Sequence, residues 1–237
     1  MYRTKGESTK KNVKSVNESF FEKWSPDMAY VLGFFVADGC LAKNQKRRNY
    51  YIEFVSTDFD IIEKIKHKLN ADQKIGARRG NGAWKKAYRL QIGSKRMFDS
   101  LINYGFSQNK SKILSPPDVP KEYFPDFLRG YFDGDGCISW GKYKPKNRPS
   151  AREYIGLCFT SGSKNFLLGI KETLVCNKIS KNGYLIVKNG GYSLSFTTLD
   201  TLRILRYIYQ RQNSIHLDRK YEKSMALLSK RGTVAQR

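Results

Sequence analysis

The sequence predicts an α+β protein made of two pseudo-symmetric αββαββα units, each with an antiparallel sheet, and two matching helices packed at the centre. Three observations lead there. Two nine-residue stretches, Val31-Leu32-Gly33-Phe34-Phe35-Val36-Ala37-Asp38-Gly39 and Leu128-Arg129-Gly130-Tyr131-Phe132-Asp133-Gly134-Asp135-Gly136, are each an apolar helical run ending in Asp-Gly, 97 positions apart. Behind each run the apolar pattern switches between period two and period 3.6 in the same order. The 237 residues accommodate two packed units of about 110 residues each.

Residues 1–24 are polar, rich in Lys, Ser and Asn, and read as a basic arm ordered only on contact with a partner. Structure should begin at Ser25, an N-cap, with Pro26 in the first helical turn and Met28, Val31, Leu32 and Phe35 at helical spacing. Gly39 is expected to supply a left-handed helix cap. Tyr50, Ile52 and Phe54 then alternate with Tyr51 and Glu53 as in a half-exposed strand. A helix from Asp60 to about Leu69, a turn at Gly80-Asn81-Gly82, a strand with Tyr88, Leu90 and Ile92 inward and Arg89 and Gln91 outward, and a helix over Lys95–Tyr104 complete the unit.

The second half repeats this order. Ile155, Leu157 and Phe159 form a strand, and Asn165–Leu174 a helix aligned with Asp60–Leu69 at an offset of 105. Tyr192, Leu194 and Phe196 align with Tyr88, Leu90 and Ile92 at 104, and Leu202 and Leu205 continue as the closing helix. The longer basic loop Gly141–Arg152 accounts for the growth of the offset. Pro116, Pro117 and Pro120 mark the connection, which divides the chain into an arm (1–24), a first unit (25–114), a linker (115–124) and a second unit (125–237).

Forty-four Lys and Arg against 21 Asp and Glu leave a net charge of +23, which calls for a polyanionic partner, nucleic acid before an acidic membrane. The longest apolar run, Met28–Ala37, is far short of the roughly 20 residues a bilayer span needs. The N-terminus lacks the apolar core of a signal peptide, so an intracellular protein of a bacterial cytoplasm or an organelle is expected. Cys40, Cys137, Cys158 and Cys176 show no Cys-x-x-Cys spacing, and with only His67 and His216 a zinc site is not expected; reduced, partly buried thiols are.

The polar faces of the sheets are expected to carry the groups that reach base edges and phosphates in the major groove. These are Lys43, Arg47, Arg48, Arg78, Lys85, Arg89 and Gln91 in the first half, and Lys142, Lys144, Arg148, Arg152, Lys188, Ser193 and Ser195 in the second. Trp84, Trp140, Tyr143 and Tyr192 are candidates for stacking on nucleotides; alternation assigns Tyr192 to the core and favours the tryptophans.

Asp38 and Asp135 end their helices where the partial charge is negative, which disfavours a carboxylate by roughly 0.3–1 kcal/mol, and bringing two such ends together adds repulsion. A divalent cation reverses both penalties. Gly33 and Ala37, and Gly130 and Gly134, spaced i, i+4, leave a flat stripe for close helix approach. Oxygen donors without sulfur or histidine point to Mg²⁺, with Mn²⁺ as a substitute.

These paired segments resemble the signature helices of the LAGLIDADG homing endonucleases in their single-chain, two-motif form, over about Ser25 to Leu228. The resemblance implies metal binding by Asp38 and Asp135, with the backbone carbonyls of Ala37 and Gly134 as further ligands. It implies a saddle of two sheets along about two turns of duplex DNA, a double-strand break with short 3′ overhangs, a monomer, and an intron or intein as genetic host. Val36 stands where the first motif usually has its other acid; Asp133 keeps it in the second, in what is usually a helix-interface role. Catalytic lysines near the end of each half map to Lys110 and Lys220, and water-orienting polar residues to Ser56 or Thr57 and Ser161. The rival reading is a binding protein on the same fold, an RNA maturase acting on its intron or a DNA-binding regulator without cleavage. Retention of both acids favours the nuclease. A splicing intein is disfavoured because neither end shows the Cys or Ser start and His-Asn finish of that chemistry.

Overall fold

The computed structural model describes residues 15–44, 49–78, 86–107, 116–146 and 150–232, with the side chains of residues 78, 231 and 232 excepted. The first unit runs α1 (Pro26–Asp38), β1 (Gly39–Asn44), β2 (Asn49–Ser56), α2 (Phe59–Lys68), β3 (Gly76–Arg78), β4 (Ala87–Gly93) and α3 (Lys95–Asn103). The second runs α4 (Phe124–Asp135), β5 (Gly136–Tyr143), β6 (Arg152–Ser161), α5 (Lys164–Cys176), β7 (Tyr184–Lys188), β8 (Gly191–Phe196) and α6 (Thr198–Ile208), followed by α7 (Asp218–Gly232). Both sheets are antiparallel with the same order, β1-β2-β4-β3 and β5-β6-β8-β7.

The elements form for local reasons. Ser25 Oγ accepts from Met28 N at 3.1 Å and Pro26 needs no donor at the first turn, so α1 starts cleanly. Every residue from Met28 to Val36 is buried, because α1 has α4 on one side and a sheet on the other. In both sheets one face packs on helices: Ile52, Phe54, Leu90 and Ile92 in the first, and Leu157, Phe159, Leu194 and Phe196 in the second.

Three expectations change. Gly39 is not a left-handed cap: its φ of −97° is extended, and α1 passes straight into β1. The glycine is needed for space, since a Cβ there would lie 2.2 Å from the Phe35 ring; Gly136 meets Phe132 in the same way at 2.3 Å. Residues 15–24 do not wait for a partner. Asn17 N donates to Leu69 O, Ser15 Oγ to Asp72, Phe21 is buried, and Trp24 stacks on Tyr123 with centroids 6.1 Å apart. Three aromatic residues, Phe20, Phe21 and Trp24, give this segment apolar area to bury, on the order of 1.5–3 kcal/mol for Phe21 alone. The cysteines are free, and Cys40, Cys137 and Cys176 are exposed rather than partly buried.

Candidate active site at the crossing of two helices

The small residues of α1 and α4 meet reciprocally. A methyl built on Gly33 would lie 2.0 Å from the Phe127 carbonyl oxygen, and one on Gly130 would lie 2.0 Å from the Tyr30 carbonyl oxygen. Residues 30 and 127, like 33 and 130, are 97 apart, so the crossing carries a local twofold. Further along, a methyl on Gly134 would fall 2.3 Å from Ala37 Cβ and 3.1 Å from Asp38 Oδ2. The negative ends of both helices therefore converge, and the Asp38 carboxylate lies against the turn that carries Asp135. Burial first, then the charge of Asp135 and more weakly that of Asp38, push the Tyr131 hydroxyl far above the usual range. Thr160 Oγ1 donates to the Asp135 carbonyl at 3.1 Å and ties that end to β6.

Lys220, only 7% exposed, enters the same place from α7. Its Nζ donates to the carbonyls of Phe132 (2.6 Å), Asp133 (2.9 Å), Gly134 (3.4 Å) and Gly136 (2.6 Å). It is a cationic cap at the C-terminal end of α4, adding a charged donor to the helix-end carbonyls, that of Phe132 being shared with the Gly136 amide. Burial lowers its pKa, and the Asp133 charge opposes that. Lys220 thus stands at the helix-end centre, with its ammonium among backbone carbonyls. Lys110 lies outside the described residues.

A buried polar network surrounds this cap. Asp133 accepts from Tyr30 OH of α1 at 2.6 Å and from Leu217 N at 2.8 Å, the helix-interface position expected of it. Burial pushes its carboxyl up to about 6. Arg129 donates to Ile215 O, Ile208 O and Asp126 Oδ1, and Asp126 also accepts from Arg211. The sequence reading passed over Tyr30, Asp126 and Arg129. A signal existed: 126, 129 and 133 follow helical spacing and form a polar stripe on an otherwise apolar helix.

The faces of the sheets turned away from the helices carry Arg89 and Gln91 in the first unit and Arg152, Lys188 and Ser195 in the second, as expected from alternation. Lys43 and Lys142 do not belong there. Lys43 shares its side with Leu41, pairs with Tyr50 and sits over that ring at 5.2 Å, while Lys142 shares its side with Ile138 and lies 3.5 Å from Glu153. Trp140 is likewise on the helix side, beneath Lys230 at 4.8 Å; Tyr143 and Tyr154 occupy the outer side instead. Ser193 has the right parity but is 3% exposed, and Lys144 is exposed just beyond β5. Arg78 ends β3 opposite Ala87. Arg47, Arg48, Lys85, Trp84 and Arg148 lie outside the described residues. Ser56 and Ser161 each accept from the amide two residues on, Asp58 N and Ser163 N, at 3.1 Å, so these hydroxyls close matching turns at the ends of β2 and β6.

A family model described as a LAGLIDADG-like domain matches residues 25–103 and, a second time, residues 126–211. The chain belongs to the LAGLIDADG family. Each match carries one of the convergent helix ends and one of the sheets. Among solved structures, the LAGLIDADG meganuclease I-AabMI, bound to uncleaved DNA, is similar over 90% of this chain and 92% of its own, with a TM-score of 0.61 at 15% identity. The homing endonuclease I-LtrWI, bound to target DNA, is similar over 92% of each chain, with a TM-score of 0.56 at 15% identity. At such identities the likeness shows the LAGLIDADG fold. DNA-directed RNA polymerase subunit Rpo1C of Methanocaldococcus jannaschii is 28% identical over 196 residues, which are 78% of this chain and 20% of that protein. This chain therefore spans about a fifth of the length of that relative. The uncharacterized protein MJ0314 of the same organism is 28% identical over 190 residues, 74% of this chain and 66% of its own.

The donor set at the crossing suits a hard cation. Two carboxylates and helix-end carbonyls are present, and the Lys220 contact to the Gly134 carbonyl is the longest of its four, so that oxygen keeps a lone pair for another partner. Among the described residues no group of three or more His, Cys, Asp or Glu side chains converges, so the paired acids are the acidic ligands available there.

Proposed function

We propose that this LAGLIDADG protein is a site-specific endonuclease that cleaves both strands of a DNA duplex, working as a monomer because both helix motifs lie in one chain. The observation that carries this reading is the pair Asp38 and Asp135 at helix ends brought together by the Gly33 and Gly130 crossing, between two sheets of like topology. A protein that only bound DNA would have no use for two carboxylates held where helix dipoles disfavour them.

Asp38, Asp135 and the Ala37 and Gly134 carbonyls would hold Mg²⁺ or Mn²⁺. A divalent ion bound there supplies Lewis-acid stabilisation of charge on the reacting phosphate and a lowered pKa for water. The chain's own residues do the rest. Lys220 neutralises part of the negative potential of α4 while fixing the Asp133–Gly136 backbone, which keeps Asp135 in place. Asp133 and Tyr30 lock the two helices in register. The outward faces of the two sheets, in a chain of net charge +23, lie along the duplex. Short 3′ overhangs and a mobile-intron host complete the proposal.

The test is cleavage of a randomised duplex library with Mg²⁺, Mn²⁺ or Ca²⁺, followed by Asp38→Asn and Asp135→Asn on a selected target. Each substitution should reduce cleavage at least a hundredfold while leaving duplex affinity within a few-fold. Full cleavage by either variant would remove the carboxylates from the reaction.

A further inference from the structure

The outward faces of the two sheets are chemically unlike at equivalent positions. On the first, Glu53 of β2 lies opposite Gln91 of β4 and diagonal to Arg89. Gln91 Nε2 donates to Glu53 Oε1 at 2.5 Å, and Arg89 Nη1 stands 3.6 Å from the same oxygen. A carboxylate only accepts, so this bond fixes the Gln91 amide: its NH₂ is turned to Glu53 and its carbonyl oxygen is left to accept elsewhere. Arg89, with its side chain 54% exposed, keeps free N–H groups on its fork. In the major groove the N7 and O6 of guanine suit an arginine fork, and adenine N6 or cytosine N4 offers a proton to an acceptor.

On the second sheet Cys158, Ser195 and Ser193 stand in the places of Glu53, Gln91 and Arg89. With Gly156 and Ser139 beside them they form a floor of short side chains. Bulk moves to the edge strand, where Tyr184 opposite Ser195 and Ile186 opposite Ser193 are 56% and 43% exposed; the first sheet has Gly76 at the place of Ile186. A low floor beside an aliphatic and an aromatic wall admits an apolar projection, and none of these positions carries a charge; Arg152 and Lys188 lie further along the same face. In the major groove that projection is the 5-methyl group of thymine.

We infer that the two halves of the target differ in chemistry: guanine with a neighbouring adenine or cytosine under β2 and β4, and thymines, read through their methyl groups, under β6, β8 and β7. Glu53 is a positioning residue for Gln91 and Arg89. This rests on the duplex-DNA reading proposed above.

The experiment is competitive binding of the full chain, with divalent ions chelated, to a duplex recovered from a library randomised over about two helical turns. Thymidine is then replaced by deoxyuridine in one half at a time, which removes methyl groups alone. In one half each replacement should weaken binding on the order of fourfold per buried methyl, and Ile186→Ala should abolish that sensitivity. In the other half deoxyuridine should change affinity less than twofold. There Glu53→Gln, which lets the Gln91 amide turn, should reduce a discrimination of tenfold or more at one base pair to under threefold. Equal deoxyuridine effects in both halves, sensitivity that survives Ile186→Ala, or unaltered selection in Glu53→Gln would overturn the inference. Failure to prefer any duplex over scrambled DNA would instead overturn the endonuclease reading beneath it.

Discussion

Gly33→Ala gives the most direct measure of how tightly α1 and α4 are joined. The added methyl would lie 2.0 Å from the Phe127 carbonyl oxygen, and 3.0 Å or less from the carbonyl carbon and the Tyr131 nitrogen, all backbone atoms that no side-chain rotation can move. An ordinary contact needs about 3.4 Å or more, so the helix backbones must part by roughly 1.4 Å. Overpacking of that kind costs typically 1–3 kcal/mol, and this rigid site belongs at or above the upper end. For a chain of this size each kcal/mol lowers the melting temperature by about 2–4 °C, so Gly33→Ala should melt roughly 6–12 °C lower in calorimetry. The local twofold adds a sharper expectation. Once Gly33→Ala has parted the helices, the space that Gly130→Ala requires is already open, so the double variant should lose much less than the sum of the two single losses. A single variant with unchanged melting, or strict additivity in the double, would refute the reciprocal backbone contact.

Two more outcomes follow from the network beside it. Lys220→Met removes the charged donor shared by the carbonyls of Phe132, Asp133 and Gly136 and one of the two cations, with Arg129, that act on Asp133, and should cost about 3–5 kcal/mol by thermal unfolding; a variant as stable as the parent would confine this lysine to chemistry alone. The Asp133 carboxyl is raised from an ordinary 3.8 to about 6 by burial, so the folded protein keeps a proton that the unfolded chain releases over that window. Its contribution to stability is present below about pH 4 and is lost as pH rises through 6. Asp133→Asn, which cannot ionise, should therefore gain in melting temperature relative to the parent between pH 4 and 7. Parallel profiles would show that Asp133 does not titrate there.

Much of the architecture was legible because burial imposes periodicity. The helix-to-strand switches after Asp38 and Asp135 and the inward set Tyr88, Leu90 and Ile92 were readable for that reason. The errors fall where the pattern is too short to fix a phase. In Gly39-Cys40-Leu41-Ala42-Lys43-Asn44 a single large apolar residue anchors the strand, so the side taken by Lys43 was set only by its pairing with Tyr50. Trp140 and Tyr143 traded places for the same reason: β5 runs on past its apolar anchor, Ile138, into positions where composition no longer reports the side. Composition averaged over residues 1–24 hid Phe20, Phe21 and Trp24 among lysines and asparagines. The cap by Lys220 was invisible as a contact, because 84 or more residues separate it from every carbonyl it holds.

The hydrogen bond from Tyr30 to Asp133 exists once, where a true twofold would give two. The position equivalent to Tyr30 is Phe127, and the one equivalent to Asp133 is Val36. A molecule assembled from two first units would bury a phenol against valine, and one from two second units would bury a carboxylate against phenylalanine, each a polar group sealed from water without its partner. Only unlike halves satisfy both groups. The two units are thus not interchangeable: expressed as separate fragments, they should recognise each other in preference to themselves.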